Sequence, residues 1–254
     1  VDNNTYFHLA AFRGNVVNGT TNTAIAGVAD PQLAKSPTGG FFAPPGGRIY
    51  AALAGGVNAS RARINTAKCR EVGLPYIAPL NTGVTIPSPP NMAVYGDNGV
   101  TPNPTDELIV ESTHTDVAAQ IQYAAMILKF GFKQQAAGQE YRLRFTSTIT
   151  GVIGSWASGA ITFDQQVPAG TYQIVGLDVF GTNLLLARLL FIGGGWRPGV
   201  PARNAVNSVP HPLALSGVLG PYGEFSNTAI PQLEIYCEAA NAAQEGYIDV
   251  IRIG

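Results

Sequence analysis

The sequence predicts an all-β protein built as two copies of one sandwich or barrel. Three observations predict it. Apolar residues alternate with polar ones over short runs, the period-two pattern of a half-buried strand. Thirty glycines and 18 prolines are spread along the 254 residues and cut those runs to strand length. A series of short matches also recurs in chain order at offsets of 123 to 127 residues, the mark of an internal duplication.

In order, the predicted strands are Thr5–Val17, Arg48–Leu53, Arg61–Val72, Glu107–Thr113, Gln120–Phe130, Tyr141–Thr150, Thr171–Val179, Leu184–Ile192, Gln232–Cys237 and Tyr247–Ile253. Tyr141-Arg142-Leu143-Arg144-Phe145 puts its apolar side chains on one face and its arginines on the other. Tyr247–Ile253 alternates poorly, which predicts a strand buried on both faces. Residues 116–130 fit a helix when drawn on a wheel. Ile121, Tyr123, Ala125 and Ile127 also alternate, and strand is the reading taken. Leu184–Ile192 is the longest apolar run; it is interrupted by Arg188 and is strand-sized, well short of the roughly 20 residues that span a bilayer. Short strands with frequent turn signals predict a sandwich or barrel.

The duplication is carried by several matches. Gly27-Val28 returns as Gly151-Val152, and Pro44-x-Gly46 as Pro168-x-Gly170. Gly56-x-Asn58-x-x-x-Ala62-Arg63 returns as Gly181-x-Asn183-x-x-x-Ala187-Arg188. Pro75 matches Pro198, and Pro87-x-Pro89 matches Pro210-x-Pro212. Tyr95-Gly96-Asp97 matches Tyr222-Gly223-Glu224, and Pro104-x-x-Glu107-Leu108 matches Pro231-x-x-Glu234-Ile235, with Glu111 against Glu238. The small drift in offset is what loop insertions produce. Two copies of about 120–127 residues follow, divided as 1–116 and 117–254.

Signals for catalysis are poor. No HExxH, GxxxxGK[ST] or GxSxG occurs. In Glu111–Asp116 (ESTHTD), Ser112, His114 and Asp116 are alternate residues. On a strand they stand about 7 Å apart, too far for a hydrogen-bonded triad. His8 and His211 stand alone. Converging metal ligands are absent, and no cofactor is expected. Asp97, Asp106 and Glu107 invite a calcium site, but solvated loop acids are the preferred reading. Cys69 and Cys237 are too few for a disulfide framework and read as buried free thiols. The N-x-[ST] matches at Asn3, Asn18 and Asn58 are too common a pattern to imply glycosylation.

FIGGGWRPG, residues 191–199, invites a phosphate cradle. It does not satisfy GxGxxG, and no helical pattern follows to hold a pyrophosphate. The preferred reading is a corner where a strand containing Arg188 leaves its sheet. Gly193, Gly194 and Gly195 then act as a hinge permitting a bend or close approach. Its counterpart in the first copy, KCREVGLPY, lacks both the glycine triplet and the Trp. Trp196 and Arg197 are expected to make a contact at one edge of the subunit. Arg63 and Arg188, each inside an apolar run, are expected to form structural bridges with Glu107 and Glu234, or with Asp97 and Glu224.

Only 12% of residues are Asp, Glu, Lys or Arg, and the formal net charge is −1. That is about half the usual charged share. A surface so poor in charge fits a subunit whose neighbours cover it, or an extracellular β protein. No basic arm or Lys/Arg cluster appears, which argues against direct binding to a nucleic-acid backbone. The chain starts VDNN, compatible with Met removal or an upstream cut.

A tandem all-β pair of this size resembles the double jelly-roll major capsid proteins of icosahedral viruses, in particular the compact versions of bacteriophages with an internal membrane. The second half carries most of the likeness, in VPAGTYQIVGLDVFGTN, ARLLFIGGGWRPG and PYGEFSNTAIPQLEI. The resemblance implies two tandem eight-stranded jelly rolls, homotrimers of pseudo-hexagonal outline, and a place in the virion shell. Neighbouring copies are the implied partners, with minor capsid or vertex proteins and an underlying membrane beside them. Three alternatives belong to other classes. A bicupin enzyme needs a His-x-His motif that is absent. A secreted carbohydrate-binding or adhesin module would use exposed Trp or Tyr platforms. A surface-layer or filament subunit would assemble head to tail.

Overall fold

The computed structural model describes residues 5–17, 22–73, 75–81, 92–203 and 219–254. His211, Pro87-x-Pro89, Pro210-x-Pro212, Asn3 and Asn18 lie outside them. Ala10–Phe130 forms one compact unit; Gly131–Gly254 together with Val1–Leu9 forms the other. The expected division at 116/117 therefore falls inside the first unit, with the physical cause given below.

The first unit contains β1 (Phe7–Val16, from its fourth residue), β2 (Thr23–Gly27), β3 (Phe41–Phe42), β4 (Arg48–Gly56), β5 (Ala59–Ile64), α1 (Ala67–Val72), β6 (Tyr76–Ile77), β7 (Leu80–Asn81), β8 (Ala93–Val94), β9 (Glu107–Leu108), β10 (Val110–His114) and β11 (Gln120–Lys129). One sheet runs β1-β11-β4, with β7 and β8 both on β4. The other runs β2-β10-β5-β6, and β1 joins it at a corner through Phe12↔Gly27. With the short β3–β9 pair set aside, the strands number one to eight in chain order, β7 and β8 sharing sixth place. The sheets then read 1-8-3-6 and 2-7-4-5. That order is two Greek keys closed into a jelly roll.

The second unit repeats it. Its strands are β12 (Glu140–Ser147), β13 (Trp156–Gly159), β14 (Thr162–Phe163), β15 (Thr171–Phe180), β16 (Leu184–Leu190), β17 (Gly199–Pro201), β18 (Gly223–Ser226), β19 (Gln232–Cys237) and β20 (Gln244–Arg252). The sheets run β12-β20-β15-β18 and β13-β19-β16-β17, with β14 on the outer edge of β12. Setting β14 aside gives 1-8-3-6 and 2-7-4-5 again. The chain is a double jelly roll.

This order explains the boundary. The eighth strand of a jelly roll returns to lie between the first and the third. β11 does so, pairing with β4 from Gln122↔Gly56 to Lys129↔Arg48. A cut at 116 removes the eighth strand from its own sheet. β11 also settles the helix-or-strand ambiguity of residues 116–130 in favour of strand.

Packing follows the alternation. Phe12 meets Phe41 edge-on at 5.3 Å in the first unit, among Ile49, Ile64, Leu108, Val110 and Leu128, all buried. In the second, Tyr172 stacks on Phe225 at 5.5 Å beside Ile174, Leu177, Ile248 and Val250. Tyr247–Ile253, expected to be buried on both faces, is nearly so in β20: Ile248, Asp249, Val250 and Ile251 are all buried. Asp249 tolerates this because Arg142 on the neighbouring β12 donates to both of its carboxylate oxygens.

One predicted strand is corrected. Arg61–Val72 stops being strand at Ile64, and Ala67–Val72 is a helix. Thr66 caps it, its hydroxyl oxygen accepting the Cys69 N–H at 3.1 Å. Six residues are too few to display a helical period. Cys69, expected on a strand, sits on this helix as a buried free thiol; Cys237 is the buried free thiol of β19.

Candidate functional site

The repeated arginines lie at equivalent places. Arg63 on β5 stands opposite Glu111 on β10, and Arg188 on β16 stands opposite Glu234 on β19. In the numbering above, both are fourth-strand arginines facing seventh-strand glutamates. Asn58 and Asn183 close the turn between the third and fourth strands in each copy. They are the non-glycine residues with positive φ among those described, 52° and 62°. Asn is the residue type that adopts this conformation at least cost after Gly.

In the second unit the pair becomes a buried cluster. Arg188 Nε donates to Glu234 Oε2 at 2.7 Å, and Arg197 Nη1 donates to Oε1 at 2.5 Å. One carboxylate thus bridges two guanidiniums. The Arg188 side chain is 0% exposed. Its Nη1 donates to the Leu9 carbonyl at 2.9 Å, and its guanidinium carbon lies 3.9 Å from the centre of the Trp156 ring. A charge so buried holds its place through this set of contacts.

FIGGGWRPG supplies Arg197 to that cluster. The chain leaves β16, turns so that Gly194 N–H donates to the Phe191 carbonyl, and returns as β17. Of the glycine triplet, Gly193 has a left-handed backbone (φ 70°), whereas Gly195 has open space around a Cβ and no such requirement. The glycine the motif needs most is Gly199, outside the triplet. A Cβ on Gly199 would stand 2.4 Å from the Ala187 carbonyl oxygen and 2.5 Å from Arg188 Cβ.

The corner is tied to the first residues of the chain. Trp196 N–H donates to Thr5 Oγ1, and Arg197 N–H donates to His8 Nδ1, both at 3.1 Å. Leu9 N–H donates to the Arg197 carbonyl at 3.0 Å. The half-buried Trp196 ring meets the His8 ring edge-on at 5.8 Å. The stretch is therefore a strand corner, as expected, but its Trp and Arg serve a strap, Thr5–Leu9, that belongs to the same unit. Nothing in the sequence around His8 signals this; the partners are nearly 190 positions apart.

The first-copy bridge differs from expectation in its acid. Arg63 Nε donates to Glu111 Oε2 at 2.6 Å, and Asn65 donates to the other oxygen. The Glu111 hydrogen bond, foremost, raises the Arg63 pKa above its ordinary value. Glu107 instead accepts from Thr38 Oγ1. The sequence match set Glu107 against Glu234, whereas the ladders set Glu111 against Glu234. Side-chain exposures are 21% and 13% for Arg63 and Glu111, against 0% and 7% for Arg188 and Glu234. The same bridge is half-open in one copy and sealed in the other.

The remaining acids are engaged separately. Asp97 pairs with Lys129, whose hydrogen bond holds the carboxyl below its usual range. Asp106 accepts the Asn103 N–H, and Glu224 accepts from Lys133 and Gln173. No group of three metal-ligating side chains forms among the described residues. His114 bridges the Val16 carbonyl and the Asp116 N–H, while Ser112 donates to Gln122. Ser112, His114 and Asp116 are thus joined to backbone and amide rather than as a triad. A repeated pair was missed: Gln122 and Gln244, both buried at the start of an eighth strand, bond to Val57 and Ile149 backbone carbonyls. Their shared offset of 122 lies just outside the range the other matches defined.

Fold and site define the class: a double jelly-roll protein with an arginine–glutamate bridge repeated in each copy. No family model matches the chain, and no curated protein does. Two solved structures align along nearly its whole length. The major capsid protein P2 from bacteriophage PM2 is 10% identical, with a TM-score of 0.29, covering 98% of each chain. The STIV MCP is 10% identical, with a TM-score of 0.29, covering 99% of this chain and 90% of that one. Scores this low add nothing to the strand order established above.

Proposed function

We propose that the chain is the major shell subunit of an icosahedral virion, assembling through trimers of pseudo-hexagonal outline, and that it is not an enzyme. The observation that carries this reading is the strand order 1-8-3-6 over 2-7-4-5 occurring twice in one chain. A duplicated sandwich gives each subunit two similar sets of edges. Three such subunits present six, which tile a hexagonal lattice through many modest contacts. The low charged fraction, 12%, suits surfaces that neighbours cover. No helix among the described residues is long and apolar enough to cross a membrane.

Negative-stain microscopy of the purified protein, across concentration and salt, tests the reading. Hexagonal plates or closed shells are the expected result. Open filaments would point to a head-to-tail polymer instead. A protein that stays monomeric and binds glycans would replace the shell reading with a carbohydrate-binding one.

A further inference from the structure

His8 is fully buried, and its Nδ1 accepts the main-chain N–H of Arg197. A backbone N–H can only donate, so Nδ1 carries no proton and the ring is the neutral tautomer with its hydrogen on Nε2. The cations near this end of β1 are each engaged by a carboxylate. Arg197 comes from the corner, Arg188 from β16, and both bond to Glu234 of β19. Trp196 lies edge-on to the imidazole, Tyr222 packs on neighbouring Phe7, and Lys133 is matched by Glu224. Other bonds also hold the strap: Thr5 to Trp196, and Leu9 through both its N–H and its carbonyl.

We propose that His8 is an acid-sensitive latch that holds the Thr5–Leu9 strap on the corner formed by residues 191–198. Protonation of Nδ1 turns the acceptor into a donor facing another donor, which breaks the bond to Arg197. It also places a new positive charge on a fully buried ring, where charge is costly. Acid therefore releases the strap, and the corner loses the contacts that fix Trp196 and Arg197. The device is independent of the shell reading and holds whether or not the protein assembles.

Hydrogen exchange on the full chain tests it directly. Between pH 7.5 and 5.5, the opening equilibrium at the Arg197 and Leu9 amides should rise by close to about tenfold, the limit for one imidazole of ordinary pKa, after correction for intrinsic rates. Amides of β20 should stay unchanged over that window. Tryptophan emission should titrate in parallel, and replacing Trp196 with Phe should remove most of that signal. His8→Gln keeps an acceptor that does not titrate, so its Arg197 amide should lose the pH response. Equal protection of the Arg197 amide at the two pH values in the unmodified protein would overturn the proposal, even where His8→Gln fails to fold. So would a folded His8→Gln protein that titrates like the unmodified one.

Discussion

Arg188 is the most deeply buried charged residue described in the second jelly roll. Replacing it with Ala leaves Glu234 buried with half its partners and removes the ring contact with Trp156. A loss of about 3–5 kcal/mol in urea unfolding is expected. Arg188→Met fills the space but still strips Glu234 of a partner, so most of that loss should remain. Arg63→Ala acts on the half-open bridge and should cost about 1 kcal/mol or less. Glycine positions give a second contrast. Gly199→Ala forces a Cβ against Ala187 and Arg188, and a loss of about 1–3 kcal/mol should follow. Gly195→Ala meets open space and should stay within about 0.5 kcal/mol of the parent. At this scale the sequence was half legible. Arg63 and Arg188 announced themselves as charges inside apolar runs repeated at one offset. Their acids did not, because glutamates at offsets of 123 and 127 were both on offer and only the ladder register chooses between them. His8 left no trace, since its role comes from a contact across nearly the whole chain.

Elements were legible where turns are tight. Gly56-x-Asn58 and Gly181-x-Asn183 mark the same left-handed turn, and Tyr95 and Tyr222 donate their N–H groups to the equivalent carbonyls of Tyr50 and Ile174. The matches at the ends slipped. Gly27 ends the second strand of its copy, whereas Gly151 precedes the second strand of the other. Loops between strands differ in length, and Gly alone cannot hold the register. α1 was missed because its signal is a cap and not a period. Thr66→Ala should cost about 1 kcal/mol by urea unfolding. The turn after β10 gives a pH test. Asp116 is held below the ordinary carboxyl value by the Ala118 N–H first, then by Asn58 and Gln120. Its folded value lies below its unfolded one, so its support is complete above the unfolded value and is lost as pH falls through the folded one. Protection of the Ala118 amide should fall as pH drops below about 4, and Asp116→Asn should remove that acid response.

At the scale of the molecule, the sequence predicted two copies, and the structure gives two jelly rolls of the same strand order. The boundary moved from 116 to 130 because an eighth strand belongs between the first and third strands of its own sheet. The first residues went the other way, since Thr5–Leu9 bonds to the corner of the second copy. Neither exchange follows from periodicity, which sees strands but not their neighbours. On the proposed reading, a subunit with two similar sandwiches and a low charged fraction makes its contacts with copies of itself. The mass of the purified chain in solution, by light scattering over a range of concentrations, tests that most directly. A species of three chains, about 80 kDa for a 26.6 kDa subunit, growing into larger assemblies, is the predicted result. A single-chain mass at every concentration and salt would contradict it.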